Sequence, residues 1–210
     1  VGKTSMDDVD HVAFFWNPSL QLDYPHPGRA KTYRHHGDYF HMVPAWILGG
    51  LTSGVEGPWT RQTIALDGRS PLQITYVTHH LAHAASAFFP SPFERAAVMT
   101  VDGFGERVSA TIGSFDGPSF VEHDRVVFPQ SLGSFYAAVT TYLGFRANSG
   151  EGKVMGLAPY GDERFVPAFR EILGLPSDPG DCGLSGDEPA FEIDLSYFAY
   201  HLDDPKRVSD

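Results

Sequence analysis

The run "LQITYVTHHLAHAASAFFPSPF" limits the possible folds more than any other stretch of the chain. Its opening, residues 72 to 78, is β-branched and aromatic on both faces, the pattern of a buried strand. The following "HHLAHAASAFF" is alanine-rich and predicts a helix, which Pro90 and Pro92 stop. A buried strand that feeds directly into a helix calls for helices layered on a sheet.

The flanking segments extend that architecture. "RAAVMTVDG" predicts a second buried strand ending at Asp102-Gly103. "ERVSATIGSFDG" and "SFVEHDRVVF" alternate apolar and polar residues, and short Gly-containing turns join them, so a β-meander is expected. Upstream, His11 to Trp16 reads as a buried strand ended by Asn17-Pro18. Residues 17 to 39, rich in Pro, His and aromatics, read as an irregular crossing, with a helix from about Pro44 weakened by Gly49-Gly50. "SLGSFYAAVTTYLGF" has helical spacing, with Ser131 as N-cap and Gly144 as its stop. "SGEGKVMGLAPYG" reads as a Gly-rich loop and "DERFVPAFREILGL" as a helix capped by Asp162. A loop over 176 to 189 then leads to a short strand, "FEIDL". The sum is a mixed α/β chain without internal repeats.

Composition removes several function classes. A formal net charge of −11 disfavours a general nucleic-acid binder, which needs basic patches against phosphate. The longest apolar run, Met42 to Leu51, is broken by Pro44, Gly49 and Gly50 and falls short of a membrane span. Cys182 is the one cysteine, so no internal disulfide framework exists, and a reducing, cytoplasmic compartment is the expectation. The chain starts at Val1, with no charged-then-apolar leader after it, and is expected to begin inside a longer one.

The histidines carry the first chemical signal. On a helix, His79 and His83 are i and i+4 and share one face, whereas His80 points about 100° away. Neutral imidazoles at that spacing suit a metal ion. The H-E-x-x-H protease pattern fails, because His80 stands where the glutamate belongs. The competing reading is that these histidines cap the helix or bond backbone carbonyls. Asp102, at a strand end, would complete a two-histidine, one-carboxylate set. An aspartate before glycine also suits a plain turn.

Two Gly-rich stretches resist familiar nucleotide motifs. "GFGERV" lacks the third dinucleotide-binding glycine, since Val108 occupies that place, and it leads into a strand. "NSGEGKVMG" is not a phosphate-binding Walker loop, because Ala147 replaces the first glycine and Val154 follows Lys153. It reads either as a charged surface loop or as part of a site.

"HHLAHAASAFFPSPF", "AAVMTVDGFGE" and "NSGEGKVMGLAPYG", in this order and spacing, strongly resemble the O-carbamoyltransferases of the nodulation and antibiotic-tailoring type. "DVDHVAFFWNP" and "FEIDLSYFAYH" resemble them too, so the likeness covers nearly the whole chain. The resemblance implies an actin/Hsp70/sugar-kinase-like α/β fold of ribonuclease-H-like lobes, related to tRNA threonylcarbamoyl-transfer proteins. Residues 1–93 would be the remainder of a first lobe and 94–210 the start of a second. It implies an Fe(II)-type divalent metal on His79, His83 and Asp102, with a fourth ligand beyond Asp210. It places Asp102, Gly103, Phe104 and Gly105 against an adenylate, and Asn148, Glu151, Gly152 and Lys153 along the same cleft. Asp194 would face the acceptor hydroxyl as a general base. An upstream phosphate hairpin and a carboxy-terminal domain that makes carbamoyl-adenylate from carbamoyl phosphate and ATP would lie outside this chain.

The implied reaction is carbamoyl transfer to the hydroxyl of a small molecule or a sugar-containing natural product. A metal-dependent hydrolase would use the same ligands to activate water. A nucleotide-binding lobe without activity of its own is a further alternative, and a tRNA-modifying relative fits the acidic charge poorly. No nucleic acid or membrane is expected as partner.

Overall fold

A computed structural model describes residues 8–17, 59–64, 71–175 and 191–200. The irregular crossing, the helix expected from Pro44, the 176–189 loop and Cys182 fall wholly or largely outside those residues.

Two three-stranded sheets organise the described chain. In the first, β1 (Val12–Phe14) runs parallel to β3 (Leu72–Val77), pairing Val12 with Ile74 and Phe14 with Tyr76. On its other side β3 pairs antiparallel with β2 (Trp59–Ile64), a strand that residue patterning had not suggested. The second sheet is the expected antiparallel meander of β4 (Arg95–Gly105), β5 (Val108–Asp116) and β6 (Ser119–Val127). β4 continues past Asp102-Gly103 to Gly105, with a break in register between Val101 and Gly105. It is half-buried rather than buried: Met99 and Val101 lie exposed on one face with Ile112 opposite Met99.

Helix α1 (His79–Phe88) covers the inner face of the meander. Ala84, Phe88 and Phe115 form a buried cluster, joined by Leu81, Ala85, Ala96, Val98 and Phe120. The alanines let the helix lie close to the sheet, and the Phe88 and Phe115 rings stack at 4.3 Å. Burial of each phenylalanine contributes roughly 1.5–3 kcal/mol.

Helix α2 (Leu132–Tyr142) starts as expected: the buried Ser131 caps it by accepting from Ser134 N–H at 3.0 Å. It ends at Gly144, whose φ of +84° suits a residue without Cβ. The expected Gly-rich loop is instead the start of a helix, α3 (Glu151–Leu157). Glu151 accepts from Asn148 N–H at 2.7 Å and so closes the preceding turn. Asp162 then caps a short 3-10 turn, Glu163–Phe165, that runs into α4 (Val166–Ile172).

"FEIDL" does not form the expected strand. Among the described residues its backbone partners are not another strand. Ile193 N–H donates to the Gln130 side chain at 2.7 Å, and Asp194 N–H donates to Ile172 C=O at 2.7 Å. Burial of Phe191 and Ile193, not sheet pairing, accounts for the apolar alternation there.

Candidate metal centre

The site forms where the first turn of α1 meets the broken end of β4. His79 Nε2 lies 2.8 Å from Asp102 Oδ2, His83 Nε2 lies 3.4 Å from the same oxygen, and the two Nε2 atoms are 2.9 Å apart. Among the described residues these are the His, Cys, Asp and Glu side chains that converge as a group able to hold an ion. His79 is the enclosed member at 12% side-chain exposure, whereas His83 and Asp102 open to solvent at 50% and 41%.

The donor chemistry fits a cation. His79 Nδ1 faces the Phe15 carbonyl at 3.3 Å. A carbonyl only accepts, so Nδ1 carries the hydrogen in that bond and a neutral ring presents its lone pair at Nε2. That lone pair points at a carboxylate oxygen and at a second imidazole nitrogen. A cation shared among the three atoms would satisfy them together. Ligand atoms at right angles and about 2.1 Å from one ion stand about 3.0 Å apart, near the three separations seen here.

Asp102 is ready to take part. Partial burial raises its pKa, but the contact with the His79 ring and the bond from Gly103 N–H, with the nearby imidazoles, outweigh burial and hold the carboxyl below the usual carboxylate range. Gly103 N–H donates to Asp102 Oδ1 at 2.6 Å, which leaves Oδ2 for the histidines. The start of α2 grips the same peptide. Ser131 Oγ donates to Gly103 C=O at 2.6 Å, and a Cβ on Gly133 would lie 2.5 Å from the Asp102 carbonyl carbon.

His80 is spent elsewhere. Its Nε2–H donates to Val108 C=O at 2.9 Å and its Nδ1 accepts from Thr100 Oγ1 at 2.7 Å. Burial lowers its pKa and favours the neutral ring.

The other candidate residues separate into three places. Gly103 and Gly105 sit in the bulged end of β4, and a Cβ on Gly105 would meet the His79 imidazole at 2.4 Å. Phe104 packs its ring 5.2 Å from Phe128. Asn148, with φ of +62°, precedes α3, while Glu151, Gly152 and Lys153 form its first turn. Tyr136 of α2 reaches Glu151 C=O at 3.4 Å, so one helix braces both this turn and the Asp102 peptide. Asp194 caps the 3-10 turn Leu195–Tyr197 by accepting from Ser196 N–H at 2.9 Å. Bonds from Ser196 hold its carboxyl below the usual range.

Residue patterns missed Glu106. Its carboxylate is buried and reaches the backbone at the start of α1. The available signal was a charged residue directly after a glycine in a link too short to expose it.

A family model described as the carbamoyltransferase N-terminus matches residues 60–203. Among curated proteins, uncharacterized protein sll1178 of Synechocystis is 44% identical over 123 residues, covering 58% of this chain and 18% of its own length. Nodulation protein NolNO of Sinorhizobium fredii is 43% identical over 94 residues, covering 44% of this chain and 13% of its own length. Nodulation protein NolO of Bradyrhizobium diazoefficiens is 40% identical over 102 residues, covering 47% of this chain and 18% of its own length. The chain thus spans less than a fifth of these relatives.

Proposed function

Because the chain belongs to the carbamoyltransferase N-terminus family, we propose that it is the acceptor-side part of an O-carbamoyltransferase. The donor is carbamoyl-adenylate, made from carbamoyl phosphate and ATP elsewhere in the protein. The acceptor is a hydroxyl of a small molecule or of a sugar-containing natural product. The hydroxyl oxygen bonds to the carbamoyl carbon, the bond from that carbon to the phosphate oxygen breaks, and AMP leaves with the bond's electron pair. The hydroxyl proton passes to a carboxylate base, for which Asp194 is the ionised candidate. An actin/Hsp70-like framework of ribonuclease-H-like lobes is part of the same reading.

His79, His83 and Asp102 would hold the divalent metal, and Fe(II) is among the ions suited to two imidazoles and one carboxylate. Bound there, the ion supplies positive charge for the donor's phosphate and polarises its carbonyl. The chain's own part is orientation. The Phe15 carbonyl fixes the His79 tautomer, Gly103 N–H fixes the Asp102 rotamer, and the open sides of His83 and Asp102 leave room for substrate. Gly103 to Gly105 and the Asn148 to Lys153 turn are the proposed nucleotide contacts.

The convergence of three ligand atoms within 4.8 Å of one another, in a chain of this family, carries the reading. It is tested in the full-length protein with carbamoyl phosphate, ATP and a panel of hydroxyl acceptors, following labelled carbamoyl transfer and AMP release. His83→Ala is expected to abolish transfer and bound metal together. Hydrolysis of acceptor-type substrates without ATP would favour the metal-dependent hydrolase instead.

A further inference from the structure

We propose that Glu106 is a positioning residue for the metal ligand His79, acting through the backbone N–H groups of His79 and Asn17. The proposal rests on the metal reading of His79, His83 and Asp102.

Glu106 occupies the two-residue link between β4 and β5 and is 8% exposed. Its φ of +50° is left-handed backbone, a conformation that favours glycine or asparagine. A glutamate held there under strain points to a task for its side chain. Both carboxylate oxygens are engaged. Oε1 accepts from Asn17 N–H at 2.6 Å and from His79 N–H at 3.1 Å, and Oε2 lies 3.2 Å from the same His79 nitrogen.

These two donors belong to the two segments that hold the His79 ring. His79 opens α1, and the residue before it, Thr78, gives the helix no side-chain cap. Glu106 takes the place of that cap from the other sheet, and so fixes where the His79 backbone begins. Asn17 stands two residues after Phe15, whose carbonyl receives His79 Nδ1–H. By holding Asn17, Glu106 also holds the strand end that supplies this acceptor. Ring position and ring tautomer are therefore set by one carboxylate, and Nε2 is left facing Asp102 Oδ2. Gly105, directly before Glu106, adds the third restraint, because the absence of a Cβ lets the chain pass against the imidazole.

The test uses the full-length protein, stripped of metal and titrated with Co(II), whose visible ligand-field bands report coordination. Glu106→Ala is expected to weaken Co(II) binding by about 10–100-fold and to shift the bands, at a temperature where circular dichroism shows it folded. Glu106→Gln, which keeps one acceptor oxygen, is expected to recover part of that loss. Phe115→Leu lowers stability from the core beside Phe88, without touching the site, and is expected to keep wild-type affinity and bands. Should Glu106→Ala fail to fold, Glu106→Asp, one methylene too short to reach both donors, is expected to weaken Co(II) and shift the bands. Wild-type affinity and bands in a folded Glu106→Ala or Glu106→Asp overturn the proposal. So does an equal loss in Phe115→Leu, which would make the effect one of stability alone. Failure of the metal reading shows itself separately, as a wild-type protein that takes up no Co(II) or a His83→Ala that binds it unchanged, and it removes this proposal with it.

Discussion

Replacing Gly105 by alanine attacks the candidate metal centre from outside its proposed ligand set. The new methyl carbon would stand 2.4 Å from His79 Cβ and Cδ2 and 2.5 Å from Cγ. Carbon atoms rest at about 3.5–4.0 Å, so ring or strand must retreat by about 1 Å. The ring has little room. The Trp16 and Phe15 rings lie 5.1 and 5.9 Å away, and Nδ1 is tied to the Phe15 carbonyl. Overpacking of this kind costs about 1–3 kcal/mol, and a chain of this size loses about 2–4 °C of melting temperature per kcal/mol. Ligand distances tolerate only about 0.2 Å, so a shift of about 1 Å would take His79 out of reach of an ion shared with His83 and Asp102. The expected result for Gly105→Ala is a melting temperature lower by at least about 2 °C and Co(II) affinity lower by at least about tenfold. Thermal denaturation and Co(II) titration read both. Gly156→Ala is the control, since a Cβ there meets nothing within 4 Å and the site lies inside α3. Its melting temperature is expected to hold or rise. A Gly105→Ala protein with unchanged melting temperature and unchanged Co(II) affinity would refute the contact between strand and imidazole.

Three other perturbations probe neighbouring parts of the fold. Ser131→Ala removes the α2 cap and the grip on Gly103 C=O, and is expected to cost about 1–2 kcal/mol in urea denaturation. His79→Ala is expected to lose bound metal as completely as His83→Ala, read by elemental analysis of the purified protein; retention of stoichiometric metal would reassign the ligands. Burial pushes the Tyr200 hydroxyl up to about 12, above the ordinary value of 10.0. The folded state therefore keeps its proton longer than the unfolded chain, so stability falls as pH rises from about 10 to about 12. Tyr200→Phe is expected to show a shallower decline in melting temperature over that window, with Tyr76, also raised by burial, contributing what remains.

Much of this fold can be read along the chain, because its signals are local. The passage from β3 to α1 is marked by a change from β-branched residues to alanines. The meander is marked by alternation and by Gly-containing turns, and α2 by Ser131 and Gly144 at its ends. The pairing of His79 with His83 follows from helical spacing alone. What escaped reading depends on partners distant in sequence. The "FEIDL" segment alternates like a strand, yet its backbone bonds go to Gln130 and the end of α4. Gly152 suggested a loop, but Glu151 closes the turn before α3 and the helix absorbs the glycine. Glu106 and Gly105 act on His79 across 27 and 26 positions, and no local pattern announces such a contact.

His80 settles an ambiguity that its neighbours create. A helix with histidines at 79, 80 and 83 has more than one way to offer imidazole to a carboxylate, and a turn of about 100° about its axis exchanges one histidine for the next. The bonds from His80 to Thr100 and to Val108 C=O act as a key in a slot, since they can form at one rotational setting of α1 only. Thr100 lies two residues before Asp102 on β4, so the strand that supplies the carboxylate also sets the angle at which the helix presents His79 and His83 to it. A histidine outside the candidate ligand set thereby selects which of its neighbours face the carboxylate.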